Sequence, residues 1–335
     1  MKRLYKILAP EDLKDAIYSN KAFALDVLNG LSEHPKRLQS KYFYDDKGSR
    51  LFQEIMGLPE YYLTNCEYEI LQTHKETISQ FVSNEAFNII ELGAGDGLKT
   101  GILIEHFQKN GLDFRYVPVD ISEAAMQTLT RSMKQKFTGL DIFGLVAEYF
   151  EGLKWLSTSN DRRNIVLILG SNLGNFSKSQ AKAFLRTLWN SLNNDDIVVT
   201  GFDFKKDIDL MLSAYNDAQG VTAKFNLNLL RRINRELGGN FDLNRFRFFA
   251  TYNVFSGAME SYLVSLEAQE VFVKDIGQRF SFKEWEPIHT EYSYKFLESD
   301  IINLAESTGY AIEKQLYDSK KYFVDSVWRV EKQAK

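Results

Sequence analysis

Between Phe87 and Gly201 the chain alternates short apolar runs with stretches of helical periodicity. The runs are Phe87 to Leu92, Tyr116 to Val119, Ile142 to Val146, Ile165 to Leu169 and Ile197 to Thr200, each bounded by Gly, Asp or Asn. Runs of this kind read as strands buried on both faces, and their alternation with helices predicts a parallel sheet. Between the last two, Ser177 and Gln180 form a capping-box pattern ahead of Ala181, Phe184, Leu185, Leu188 and Leu192 at helical spacing, which predicts a crossover helix. The flanks lack this rhythm and mix helical pieces with alternating strands. Helical pattern returns at Asp300 to Ser307, and strand pattern at Ile312 to Leu316 and Phe323 to Val330, which would close the sheet with an antiparallel hairpin. The chain is therefore expected to be α/β with one domain interrupted by another: residues 64–204 plus 296–335, and a second, α+β domain of residues 1–63 plus 205–295.

Composition narrows the function classes. At 335 residues with 44% apolar residues, the chain can build a substantial core without staples. Lysine and arginine number 41 against 45 aspartates and glutamates, a net charge of -4 with no basic block, so a nucleic-acid partner is not expected and a small molecule is. A lone cysteine, Cys66, and four scattered histidines offer no zinc spacing, so no metal site is expected. Met1 to Pro10 has no signal-peptide core and no segment has the length of a membrane span, which predicts a cytoplasmic enzyme without a membrane partner.

The chemistry concentrates at one strand-to-helix junction. Ile89 to Leu92 leads into Gly93-Ala94-Gly95-Asp96-Gly97, and a helix is expected from Lys99 to His106. This is the ligand-binding edge of an open α/β sheet, where glycines admit a ligand close to the backbone and free helix amides favour an anion. A dinucleotide fingerprint would place its third glycine at position 98, which is Leu98. The spacing therefore favours S-adenosyl-L-methionine over a nicotinamide cofactor, on a Rossmann-like sheet. Asp120, at the end of the second strand, is placed to accept from ribose hydroxyls. Glu148 is placed to accept from an adenine amine, with Tyr149 or Phe150 against the ring. Gly93, Gly95, Lys99, Asp120, Glu148 and Tyr149 are thus the candidate cofactor residues. Taken singly, the glycine loop also reads as a tight turn, and each acid as a strand-end cap; their order, one per strand end, carries the cofactor reading.

The motif Lys41-Tyr42-Phe43-Tyr44-Asp45-Asp46-Lys47-Gly48-Ser49-Arg50, continuing to Ile55 and followed by Leu58-Pro59-Glu60-Tyr61-Tyr62, resembles the opening motif of the histidine-specific N-α-methyltransferases of ergothioneine biosynthesis. The resemblance continues through the Glu91 to Lys99 loop, Tyr116 to Asp120, Gly170 to Asn175, Ala214-Tyr215-Asn216-Asp217 to Phe225-Asn226, Asn234 to Leu237, and His289-Thr290-Glu291-Tyr292-Ser293-Tyr294-Lys295-Phe296. It covers nearly the whole chain. It implies methylation of the α-amine of a free amino acid, up to trimethylation, with the interrupting domain gripping that amino acid. By motif position, Tyr44 and Tyr61 resemble the family's residues around the reacting amine, Asn175 and Tyr215 its carboxylate clamp, and Glu291 with Ser293 the pair that reads the imidazole.

Residue chemistry is compatible with these roles. Tyrosine hydroxyls can relay the proton that an amine must lose, and their rings can face the ammonium that accumulates. A carboxylate and a hydroxyl can meet the two imidazole nitrogens and select against apolar side chains. One position departs from the pattern: Ser261 stands where histidine-specific members are expected to carry methionine, which would enlarge the pocket or change its polarity. Methylation of another amino acid, such as a tryptophan-like one, is therefore an alternative, as is an adenosylmethionine-binding regulator without turnover. An oxidoreductase is disfavoured by Leu98.

Overall fold

The computed structural model describes residues 4–8, 20–82, 85–156 and 162–332. Of the N-terminal stretch read for a leader, residues 1–3 and 9–10 lie outside the described residues, as does the side chain of Phe150. In chain order the strands are β1 (Tyr5–Ile7), β2 (Lys36–Arg37), β3 (Phe87–Leu92), β4 (Phe114–Asp120), β5 (Asp141–Ile142), β6 (Gly144–Val146), β7 (Arg163–Ile168), β8 (Ile197–Asp203), β9 (Phe246–Asn253), β10 (Ala258–Ser265), β11 (Gln269–Val273), β12 (Gln278–Phe282), β13 (Pro287–Tyr294), β14 (Tyr310–Tyr317) and β15 (Phe323–Val330). The helices are α1 (Asn20–Ser32), α2 (Asp46–Met56), α3 (Tyr62–Gln80), α4 (Leu98–Lys109), α5 (Glu123–Lys136), α6 (Tyr149–Leu156), α7 (Lys178–Ser191), α8 (Ile208–Tyr215), α9 (Val221–Leu237) and α10 (Glu298–Thr308).

The chain divides into two compact units, one of residues 1–8, 63–205 and 294–335, the other of residues 9–62 and 206–293. The sequence reading assigned residues 1–63 wholly to the second unit. That is corrected at β1, which pairs in parallel with β6 and so belongs to the first unit's sheet. Three residues reading Tyr-Lys-Ile, one half-buried and two exposed, carry no apolar run by which an edge strand could be foreseen.

The first unit is built on a sheet of order β1-β6-β4-β3-β7-β8-β15-β14, with β5 also pairing to β4. All pairs from β1 to β8 are parallel, while β15 joins β8 and β14 in antiparallel fashion. β3 and β8 are buried at every position, as both-face burial requires of a central parallel strand. The sheet order turns between β4 and β3 on one side and β7 on the other, the place where open α/β sheets bind ligands beyond their carboxyl ends. The crossover helix α7 starts with a full capping box, Ser177 and Gln180 each satisfying the other's backbone amide at 3.3 and 2.9 Å. Its face Ala181, Phe184, Leu185, Leu188 packs into the core with Trp328 and Phe202 of the sheet.

The second unit carries a sheet of order β2-β13-β10-β9 and a separate β11–β12 hairpin. Helix α9 buries Phe225, Leu229, Leu230 and Ile233 along one stripe, with β9 and β10 among its neighbours. No described helix is long and apolar enough to cross a membrane.

Candidate active site

In the first unit the glycine loop leaves β3 and enters α4 with Gly93, Gly95 and Gly97 at φ of 77°, 54° and 68°. Only glycine takes this left-handed backbone without strain. Gly93 is also crowded: a Cβ there would lie 2.7 Å from the Tyr149 hydroxyl and 2.9 Å from the Asn172 side-chain nitrogen. The loop is tied to the end of β4 by Asp120, whose carboxylate accepts from the Gly95 amide at 3.1 Å and the Ser122 amide at 2.9 Å. Burial pushes Asp120 up despite these two bonds. Each carboxylate oxygen has a second lone pair, so the residue retains capacity for further donors.

Tyr149 opens α6 directly after Glu148, and its ring meets Phe184 edge-on at 5.8 Å while its hydroxyl reaches over Gly93. One edge of the ring thus rests on the core while its hydroxyl stands at the glycine loop. On β7's far end, Gly170 and Ser171 take positive φ of 76° and 57°, and a 3-10 turn runs from Asn172 to Asn175. A Cβ on Gly174 would come within 2.9 Å of the Tyr294 carbonyl, so this turn rests closely on backbone.

Lys99 stands in the first turn of α4, and its ammonium pairs with the fully buried carboxylate of Glu67. Burial would lower the ammonium, but Glu67 outweighs it and holds Lys99 above its usual range. Nearby, Glu91 at the end of β3 is driven up to about 7 by burial, against the opposing effect of a hydrogen bond from the Tyr116 hydroxyl.

In the second unit, aromatic rings form a continuous series. Tyr44 lies 5.6 Å from Phe52 and 5.7 Å from Phe225; Phe52 lies 6.2 Å from Tyr61, which lies 6.2 Å from Tyr215. The Tyr215 hydroxyl shares a 2.8 Å hydrogen bond with the Ser293 hydroxyl. Tyr44, Tyr61, Tyr215 and Ser293 are thereby brought together, and Glu291 precedes Ser293 by two positions on the same strand. The strand is anchored beside them by Thr290, which donates toward Asn226 at 2.8 Å and the Ser261 carbonyl at 3.0 Å. Ser261 is itself buried on β10.

The Tyr44 turn is held from below. Asp45 caps α2, accepting from the Gly48 amide at 2.7 Å, Asn228 at 2.8 Å and Arg235 at 2.7 Å. Arg232 donates to the Tyr42 carbonyl at 3.0 Å. Gly48 has no room for a Cβ against the Phe43 carbonyl, which is why this turn carries glycine. Asp45 and Arg235 were visible only as members of a motif and Asn228 not at all, because nothing in their spacing says that 183 and 190 residues of chain return to one carboxylate.

Compared with known proteins, residues 23–330 match the family model of the SAM-dependent histidine-specific methyltransferases. The chain belongs to that family. It is accordingly an S-adenosylmethionine-dependent methyltransferase by family. Among its relatives, histidine N-α-methyltransferase of Mycolicibacterium smegmatis is 34% identical over 85% of this chain and 88% of that one. The Mycobacterium tuberculosis protein of the same name is 33% identical over 82% and 84%. Ergothioneine biosynthesis protein 1 of Schizosaccharomyces pombe is 31% identical over 90% of this chain and 41% of its own length. Among the described residues of this methyltransferase no group of three or more His, Cys, Asp or Glu is arranged to hold a metal ion. Glu67 and Asp325 were missed in the sequence; the available signal for Asp325 was an acid inside the run from Phe323 to Trp328, which apart from Asp325 and Ser326 is apolar.

Proposed function

We propose that this methyltransferase acts on the α-amino group of free L-histidine and carries it through successive rounds to the N-α-trimethylated product, hercynine. The observation that carries the reading is the Tyr215–Ser293 hydrogen bond at 2.8 Å, set in the tyrosine series with Glu291 on the same strand. A hydroxyl so held presents a fixed oxygen to one imidazole nitrogen, and a carboxylate two residues away can accept from the other.

The first unit would hold the cofactor through Gly93, Gly95, Lys99, Asp120, Glu148 and Tyr149. The crowding at Gly93 and the positive φ values fit a loop that a ligand approaches along its backbone. When bound, adenosylmethionine supplies an electrophilic methyl group on a sulfonium. The chain's own contribution is then mostly positional, because an in-line displacement needs the amine lone pair oriented and little acid catalysis. Tyr44 and Tyr61 face an amine that must shed one proton per round, and their hydroxyls can pass it on while their rings favour the cation that builds up.

Mass spectrometry of the protein incubated with adenosylmethionine and all twenty amino acids tests this. Gains of one, two and three methyl groups on histidine alone are expected. Gains on another amino acid would retain the chemistry and move specificity to Ser261, and no gain on any would favour a binding role without turnover.

A further inference from the structure

The first unit contains a charge cluster around Lys99 whose two acids the reaction as described does not use. Glu67 on α3 is fully buried, and both of its oxygens accept from the Gly170 amide, at 2.8 and 2.9 Å. The same carboxylate pairs with Lys99. Room for it exists because Gly201 on β8 lacks a side chain, and any Cβ there would run into Glu67. Opposite Gly201 in register on β15 stands Asp325, wholly buried and facing Glu67. The Lys99 nitrogen lies 3.5 Å from where a Cβ on Gly170 would sit, and the Asn172 side-chain oxygen 3.7 Å from the same point. One carboxylate thus ties the first turn of α4 to the turn that follows β7.

We propose that Glu67 is a positioning residue of the cofactor site: by gripping the Gly170 amide and Lys99 together it aims the lysine ammonium at the amino-acid end of the cofactor, where a carboxylate needs a cation. This rests on the reading of Lys99 as a cofactor residue given above. Asp325 is the reserve acid. Burial and the neighbouring Glu67 hold it well above the usual carboxylate range. A single Glu67→Gln change leaves the Asp325 carboxyl near the lysine as a partial substitute, so the double variant Glu67→Gln with Asp325→Asn gives the full effect and is the decisive one.

The experiment is calorimetric titration of the full chain with two probes. S-adenosylhomocysteine carries the amino-acid end, and 5′-methylthioadenosine lacks it. In the double variant the homocysteine compound is expected to bind at least tenfold more weakly, with the methylthio compound unchanged within twofold. Asp325→Asn alone, isosteric with the neutral acid, should leave both affinities unchanged. An equal loss for both probes would show a merely structural role and overturn the proposal, as would no loss for either. Should the double variant fail to fold, Glu67→Gln alone must show the same split at smaller size, and its absence overturns the proposal too. Lys99→Met separates the two levels: if it leaves both probes unaffected, the reading of Lys99 fails, whereas a selective loss there with none in the Glu67 variants sinks the Glu67 proposal alone.

Discussion

A single methyl group tests the glycine loop. Gly93→Ala forces a Cβ to within 2.7 Å of the Tyr149 hydroxyl and 2.9 Å of Asn172, at a φ of 77°. Strain of that kind costs about 1–3 kcal/mol and shifts the loop or its neighbours. We expect adenosylmethionine affinity to fall at least tenfold, read by calorimetry; an unchanged affinity would remove this loop from the cofactor site. At this scale the sequence was legible where backbone demands glycine, as at Gly93 to Gly97, while the motif positions Tyr215 and Ser293 meet in one hydrogen bond. It was not legible at Glu67 and Asp325. An acid on a helix ordinarily reads as a solvated residue, and only the missing side chain at Gly201 makes room to bury this one.

Elements were foreseen in proportion to the length and purity of their pattern. β3 was read with its observed ends, and the crossover helix from its capping box, because both signals are local. The box gives a measurable expectation: Ser177→Ala should cost about 1 kcal/mol by urea denaturation, and Ser177→Asn much less. Equal loss in both would mean that the hydroxyl, and not the capping bond, matters there. The run read as one strand from Ile142 to Val146 proved to be two short ones in one register on β4, one against Arg115 and Tyr116 and the other against Val119 and Asp120; the break falls across from Val117 and Pro118, and proline has no amide to donate. β14 extends two residues earlier and one later than its apolar run, because Tyr310 and Ala311 pair with Val330 and Arg329 irrespective of pattern.

For the whole molecule, two buried groups give opposite dependences on pH. His289 in the second unit is lowered to about 4 by burial, and its Nε2 has no partner among the described residues. Between its ordinary 6.5 and about 4 the unfolded chain takes up a proton that the folded one refuses, so this group removes stability as pH falls through that window. Glu91 in the first unit is raised from 4.5 to about 7 by burial, so its contribution is full below 4.5 and is lost as pH rises to about 7. His289→Asn should therefore be less destabilising at pH 5 than at pH 7, by roughly 1–2 kcal/mol in urea unfolding. The same cost at both pH values would show that His289 does not titrate on unfolding. Division into two units was legible as a break in rhythm, although where the first of them takes back its opening strand was not. The antiparallel closure of the large sheet has a consequence for synthesis on the ribosome. β8 is complete at Asp203, but its partner β15 begins at Phe323, after the whole second unit has been made. At bacterial or eukaryotic elongation rates the nascent chain leaves that strand edge open for about ten seconds. Translation speed and chaperone supply, more than final stability, should then decide the yield of soluble protein.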